Sequence, residues 1–129
     1  MRIAIATEDG VRVSQHFGMA PNYLVATIDE GKVVQRELLA KPSHQGGFHG
    51  PPHSPGGGHG GMGAQALHAS MAAPIRDCQI LVAGGMGRGA HSMLRSVGIE
   101  PLLTDITSID EALEAYIAGT LENRTERMH

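Results

Sequence analysis

The segment Gln79-Ile80-Leu81-Val82-Ala83-Gly84-Gly85-Met86-Gly87-Arg88-Gly89-Ala90 gives the clearest indication of fold in this chain of 129 residues. Its apolar first half is typical of a strand buried on both faces. Glycines then interrupt the strand, and the apolar face of Gly89–Val97 predicts a helix that Gly98 ends. A buried strand that passes through a short turn into a helix is the repeating unit of α/β folds.

The other segments add strands and helices around this unit. Arg2–Ala6 is a second buried strand, and Tyr23–Ile28 with Lys32–Leu39 predicts a hairpin. Three more elements complete the prediction: helix Ala64–Met71, strand Pro101–Thr104, and a helix over 109–119 that the capping box Ser108-x-x-Glu111 opens. The order β-β-β-α-β-α-β-α predicts an α/β fold, a mixed sheet with about three helices on its faces.

Composition limits the class of protein. The length favours a single domain, placed over residues 1–120, with 121–129 as a disordered polar tail. A net charge of −3 and a pI near 6.2 give no support for nucleic-acid binding. No apolar run reaches the ~18–20 residues of a membrane span. The single cysteine, Cys78, fits a reducing cytoplasm, is expected to pack as a small hydrophobe, and excludes an all-cysteine iron–sulfur site within the chain.

The first candidate site is the run Val13-Ser14-Gln15-His16-Phe17-Gly18. Neutral imidazole binds iron, copper, nickel and molybdenum-type centres, so His16 is a candidate metal ligand. Ser14, Phe17 and Gly18 are candidate cofactor-binding residues beside it: Phe17 could close one side of such a site, and Gly18 would let a bulky ligand approach the backbone. The alternative is an ordinary loop histidine that is hydrogen-bonded to backbone.

The second candidate site is the glycine-rich turn after the strand. Four glycines in six residues would leave backbone amides free to face an anion at the start of a helix, where the helix dipole also favours negative charge. The candidate binding residues are Gly84, Gly85, Met86, Gly87, Arg88 and Gly89. Two alternatives stay open: a tight turn without a ligand, and a nucleotide site in which Asp105 would bind the ribose.

The third candidate site is a loop over residues 43–63, which holds nine glycines, three prolines and four histidines. This composition predicts a flexible segment, mobile without a ligand. Its possible metal ligands are His44, His49, His53, His59 and Met62. Their spacing fits no closed zinc motif, so the loop could bind copper, nickel or zinc loosely, or cover a cluster. The alternative is a low-complexity lid whose histidines are incidental.

Three motifs in order resemble the dinitrogenase iron–molybdenum cofactor biosynthesis family. They are Ile3–Ala6 followed by Ser14-x-His16-Phe17-Gly18, Ile80–Ala83 running into the glycine-rich turn, and Ile109-x-Glu111-Ala112-Leu113 near the end. Together they span about residues 1–120. The resemblance implies a ribonuclease H-like sheet of five strands with one antiparallel strand, His16 as metal ligand, and residues 84–89 as pocket wall. The long, cysteine-free histidine loop departs from the family pattern.

The resemblance further implies that the chain carries or scaffolds a preformed metal–sulfur cluster, with molybdenum and either iron or copper as in orange-protein-like relatives. Such a cluster brings its own sulfides, so few protein ligands suffice. We therefore expect a cytoplasmic carrier and no enzyme, a monomer or weak homo-oligomer that works with cluster-assembly or recipient proteins. A histidine-rich ion chaperone and a nucleotide-binding enzyme are the alternatives. The expectation requires His16 and Gly87 to lie on the same side of the molecule.

Overall fold

The computed structural model describes residues 1–41 and 72–128, which form one five-stranded sheet with helices on its faces. The strands are β1 (Arg2–Thr7), β2 (Asn22–Asp29), β3 (Lys32–Ala40), β4 (Ile80–Ala83) and β5 (Glu100–Leu103). Their order across the sheet is β3-β2-β1-β4-β5. Because β2 pairs antiparallel with both neighbours while β1, β4 and β5 are parallel, β2 alone runs against the rest. This confirms the predicted mixed sheet with one antiparallel strand; the ribonuclease H-like assignment stays a prediction.

Two α-helices lie within the described residues, α1 (Arg88–Ser96) and α2 (Ile109–Ala118). Short 3-10 turns occur at Phe17–Met19, Ala73–Ile75 and Thr125–Arg127. The predicted helix Ala64–Met71 and the histidine loop over 43–63 lie outside the described residues. No helix in the described part of the chain has the length and apolar content to cross a membrane.

The sheet separates two apolar cores, as expected for strands buried on both faces. On β1, Ala4 and Ala6 face the core that includes Leu94 of α1, whereas Ile3 and Ile5 face the core under α2. The small alanines on the α1 side leave room for larger side chains, and Phe17 and Tyr23 lie in that core. Cys78 is buried in the same core, as predicted.

The helix ends confirm the predicted start and stop signals. Ser108 Oγ accepts a hydrogen bond from the Glu111 amide at 3.3 Å, which caps α2. Gly119 and Gly98 have φ values of +79° and +86°, left-handed conformations that favour glycine at the residue after a helix. The sequence therefore predicts both ends of α2 and the end of α1 to within two residues.

The last residues differ from the predicted disordered tail, because they dock on the sheet. The Asn123 side chain accepts a hydrogen bond from the Leu103 amide at 3.0 Å, and the Arg124 amide donates to the Leu103 carbonyl at 2.7 Å. Met128 packs against the α1-side core and forms a backbone bridge to Met86. Residues 121–128 are thus docked at the carboxyl end of β5, so the expectation of a frayed tail is corrected for them.

We predict that Asn123→Ala lowers the free energy of unfolding by about 1–2 kcal/mol, because the amide of buried Leu103 loses its acceptor. Urea denaturation of the two proteins measures this difference. Glu122→Ala is the matched control, since Glu122 is exposed and, among the described residues, forms an ion pair with Arg124 alone, at the surface. Equal midpoints for Asn123→Ala and the parent would show that the tail contributes nothing.

Candidate functional site

The candidate site lies at the edge of the sheet where the parallel strands end. β1 and β4 are neighbours, but β1 continues to β2 on one side and β4 continues through α1 to β5 on the other. The divergence of two such connections opens a crevice outside the carboxyl ends of the strands, the usual ligand position in α/β sheets. The two sequence-predicted motifs follow these two strands directly.

Ser14 joins the two motifs by bridging the ends of β1 and β4. Its amide donates to the Ala6 carbonyl at 2.7 Å, and its carbonyl accepts from the Gly84 amide, also at 2.7 Å. The Phe17 amide then donates to the Gly85 carbonyl at 2.9 Å. The segment that carries His16 is therefore fixed alongside the glycine-rich turn, on the same side of the molecule as the sequence analysis requires.

His16 is exposed, and its backbone is held by the preceding serine. The His16 amide donates to Ser14 Oγ at 3.2 Å, and that hydroxyl donates to the His16 carbonyl at 3.0 Å. Ser14 itself is only 2% exposed. The structure therefore gives the Ser14 hydroxyl a positioning role for the His16 backbone, and its direct role in binding stays a prediction.

Phe17 and Gly18 occupy places that differ from those expected. Phe17 is completely buried, so its ring supports the site from the core side and forms no open wall. Gly18 is exposed, and a side chain at this position would meet no atom of the described residues within 4 Å. The structure therefore gives no steric reason for glycine at position 18.

The glycine-rich turn divides into a buried half and an open half. Gly84 and Gly85 are buried, and Met86 is 1% exposed with its side chain in the core, which corrects its expected place in the pocket wall. Gly87 is the N-cap of α1 and provides no side-chain cap. Arg88 and Gly89 are exposed in the first turn. The amides that remain available to an anion are those of the first helical turn, 88–90.

The Gly84 carbonyl of the turn is bound by Arg127, a residue that was expected to lie in a disordered tail. Arg127 donates from Nε to the Gly84 carbonyl at 2.6 Å and from Nη2 to Gln15 Oε1 at 2.9 Å. A Cβ built on Gly84 would lie only 2.7 Å from Gln15 atoms. Close approach to Gln15, held in place by Arg127, is thus a concrete reason for glycine at position 84.

Lys41 is the residue at this edge that the sequence analysis did not single out. It follows β3 directly, its amide donates to the Pro21 carbonyl at 2.8 Å, and it is 5% exposed. Its Nζ lies 4.8 Å from the centroid of the Phe17 ring and has no hydrogen-bond partner among residues 1–41 and 72–128. Burial lowers the pKa of Lys41 to about 8. Strand alternation is the sequence signal that could have predicted the burial of Lys41, because residue 41 lies on the same face of the sheet as half-buried Leu39.

The remaining side chains that could coordinate a metal limit which ligands the site can bind. Burial raises the pKa of the Cys78 thiol, so no thiolate is available there at neutral pH. Within residues 1–41 and 72–128, no group of three or more histidine, cysteine or acidic side chains comes together as a metal site. His44, His49, His53, His59 and Met62 lie outside the described residues.

In the nucleotide alternative, Asp105 would bind the ribose, but in the structure an arginine occupies this carboxylate. Asp105 pairs with Arg124, with 3.3 Å between carboxylate and guanidinium, and lies in a separate small pocket with Thr104 and Glu122. A ribose would have to displace this ion pair. Another pocket of about 560 Å³ is lined by Glu8, Asp9, Arg12, Val13, Gln15 and Thr107. There the amides of Arg12 and Val11 bond Asp9 and hold the pKa of its carboxyl below the usual value.

We predict that Gly84→Ala lowers the free energy of unfolding by about 1–3 kcal/mol, because the new methyl group displaces Gln15 from Arg127. In a Gln15→Ala background the same substitution should cost much less, since the obstructing side chain is gone. A double-mutant cycle by urea denaturation measures the coupling. Additive effects would contradict the proposed contact.

We predict that Lys41→Met raises the free energy of unfolding at pH 7 by about 1–3 kcal/mol, because a buried ammonium is replaced by an apolar group. The pKa of Lys41 is about 8 when folded and 10.5 in the unfolded reference, so between these pH values the unfolded chain binds the extra proton. The parent protein should therefore gain stability as the pH rises from about 8 to about 10.5, and the variant should not.

Denaturation at pH 7, 9 and 10.5 tests this prediction. Lys32→Met, on an exposed lysine at the other end of β3, is the control that removes the same charge without changing burial. Parallel stability curves for the parent and the Lys41 variant would mean that the ammonium is solvated.

Comparison with known proteins places this architecture among relatives of similar size. The chain is 25% identical over 122 residues to MJ0580, an uncharacterised protein of Methanocaldococcus jannaschii, a match that covers 95% of this chain and 90% of the relative. The crystal structure of PH0822 superposes with a TM-score of 0.68 at 25% identity and covers 96% of this chain and 95% of that one. The apo form of the orange protein from Desulfovibrio gigas shares the fold with a TM-score of 0.57 at 22% identity, over 95% of this chain and 91% of that one.

A larger relative matches through one part only. The chain is 31% identical over 117 residues to the FeMo cofactor biosynthesis protein NifB of Chlorobaculum tepidum; the match covers 91% of this chain but 23% of NifB. The profile of the family described as "Dinitrogenase iron-molybdenum cofactor" matches residues 1–119, which include every strand and both α-helices described above. The chain therefore belongs to the dinitrogenase iron–molybdenum cofactor family.

Proposed function

We propose that this protein carries or scaffolds a preformed, anionic metal–sulfur cluster and performs no catalysis on it. The observation that supports this most directly is the docking of the His16 segment on the glycine-rich turn, beside the uncapped first turn of α1. One exposed imidazole and a few helix amides would bind the surface of a cluster that already has its sulfides. They are too few to build a cluster or to bind a bare ion tightly.

The family supports the same class of cargo. Its description names the iron–molybdenum cofactor, and a fold neighbour is the orange protein. We propose a cluster that contains molybdenum with iron or copper, handed to or received from cluster-assembly proteins. A lone buried thiol and an oxygen-sensitive cargo are both suited to a reducing cytoplasm, where we propose that the protein works.

The role that we propose for each group follows from its position in the structure. His16 coordinates a metal at the exposed face, with its backbone fixed by Ser14. The amides of residues 88–90 face the sulfides and stabilise negative charge through the helix dipole. Because His16 is the one metal donor proposed among the described residues, the cargo can leave this edge by exchange of a single bond, which suits delivery.

We predict that His16→Ala lowers cluster retention at least tenfold, because the one described metal donor at the site is removed. Protein is purified without oxygen, and molybdenum, iron and copper are measured per chain before and after gel filtration, together with the visible spectrum. His91→Ala is the matched control, since it removes a half-buried imidazole within α1. Unchanged retention in His16→Ala would argue strongly against the assignment.

The ion-chaperone alternative depends on the four histidines of the loop over 43–63. Deletion of that loop separates the two functions in one measurement. A cluster carrier should keep part of its affinity through the sheet edge, whereas an ion chaperone should lose all metal binding. Loss of Cu²⁺, Ni²⁺ and Zn²⁺ binding together with retained cluster binding would assign the loop a separate role.

A further inference from the structure

The most unusual group in the described part of the chain is the Lys41 ammonium. Lysines commonly bury the carbon stem and leave the charged head in water. Here the head itself is buried: Nζ is inaccessible to solvent, and no described residue forms a hydrogen bond with it. A charge in this state costs stability, and a methionine of similar length would fill the same space without that cost.

Other sheltered cations of the described residues are neutralised by carboxylates. Arg2 pairs with Glu37 and Asp77, and Arg124 pairs with Asp105, Glu122 and Glu126. Two sheltered cations have no carboxylate within 4 Å among the residues that the structure describes. They are Lys41 and Arg127, and both lie at the edge that carries His16.

Each of these two cations is linked to the candidate site by one or two contacts. Lys41 Nζ contacts the Phe17 ring, and Phe17 is both the neighbour of His16 and the residue whose amide bonds Gly85. Arg127 bonds Gly84 on the same turn. The protein as a whole has a net charge of −3, so two sheltered cations without a carboxylate partner are contrary to its general balance.

We propose that Lys41 supplies the fixed positive charge that holds the anionic cargo of this site, with the Phe17 ring keeping the ammonium in place. This inference rests on the proposed cluster-carrier function and specifies the cargo as a polyanion, bound by charge as much as by coordination. The ammonium need not touch the cargo. In a protein interior the attraction between opposite charges is screened far less than in water, so it acts across the thickness of an aromatic ring.

The same arrangement explains how binding and stability are coupled. In the empty protein the buried ammonium is an uncompensated charge, and only the face of Phe17 partly offsets its loss of hydration. An anion placed at the edge would compensate it. The cargo therefore stabilises the folded chain by more than its direct contacts do, and Lys41→Met should show the opposite pattern, higher stability when empty and weaker binding.

The test uses tetrathiomolybdate, a dianion of molybdenum and sulfide, with the full-length protein under anaerobic conditions. Equilibrium dialysis with measurement of molybdenum gives the dissociation constant for the parent, Lys41→Met, Lys41→Gln, Lys41→Arg and Lys32→Met. Lys32 is the matched control, because it lies at the opposite end of β3, about 30 Å away, and its replacement changes the net charge equally. Thermal unfolding confirms that each variant is folded.

We expect Lys41→Met and Lys41→Gln to bind the dianion at least tenfold more weakly than the parent. The dissociation constant of Lys32→Met should stay within twofold of the parent value. Among the Lys41 variants, Lys41→Arg should lose the least affinity. Thermal stabilisation by the dianion should also be largest in the parent and small in Lys41→Met. Equal affinity in the parent and both neutral Lys41 variants would overturn the role of Lys41 and leave the carrier function standing. Absence of binding by the parent itself would overturn both.

Discussion

The insertion of Ser14 between the ends of β1 and β4 is the interaction on which the rest of the site depends. Two hydrogen bonds of 2.7 Å hold its backbone to Ala6 and Gly84. Neighbouring parallel strands end there with unpaired backbone groups, and Ser14 satisfies one from each. Because the residue also fixes the backbone of His16 through its hydroxyl, one residue links the sheet, the imidazole and the turn that begins α1.

That constraint gives a rigid base and an open surface. Buried Phe17 and Met86 lie beneath the edge, and exposed His16 and Arg88 lie on it. In the proposed function, such a site binds its cargo through shape, charge and one exchangeable ligand; the described residues form no enclosed cage of metal donors. Tight retention and easy release are opposing demands, and few-point ligation with charge compensation meets both better than four thiolates would.

Local sequence signals predict most of the fold. The buried runs of β1 and β4, the hairpin, and the start and end of α2 depend on neighbouring residues, and the structure agrees with them to within two residues. Features that depend on distant partners were missed. The polarity of 121–128 suggests a tail. In the structure, however, Asn123 accepts a hydrogen bond from Leu103 and Arg127 donates one to Gly84, and both partners are 20 or more residues away. Within the site, the juxtaposition of its two motifs was predictable from strand order, and strand alternation indicated the burial of Lys41. The burial of Met86 depends on packing that no local pattern encodes.

The docked end of the chain has a practical consequence. Residue 128 forms a backbone bridge with Met86, so anything joined beyond it emerges beside the glycine-rich turn. Residue 1 leaves from the other end of β1, where its amine donates to the Ile28 carbonyl. A polyhistidine tag at the carboxyl terminus would add a competing chelator next to the site, whereas the same tag at the amino terminus would project from the opposite edge of the sheet.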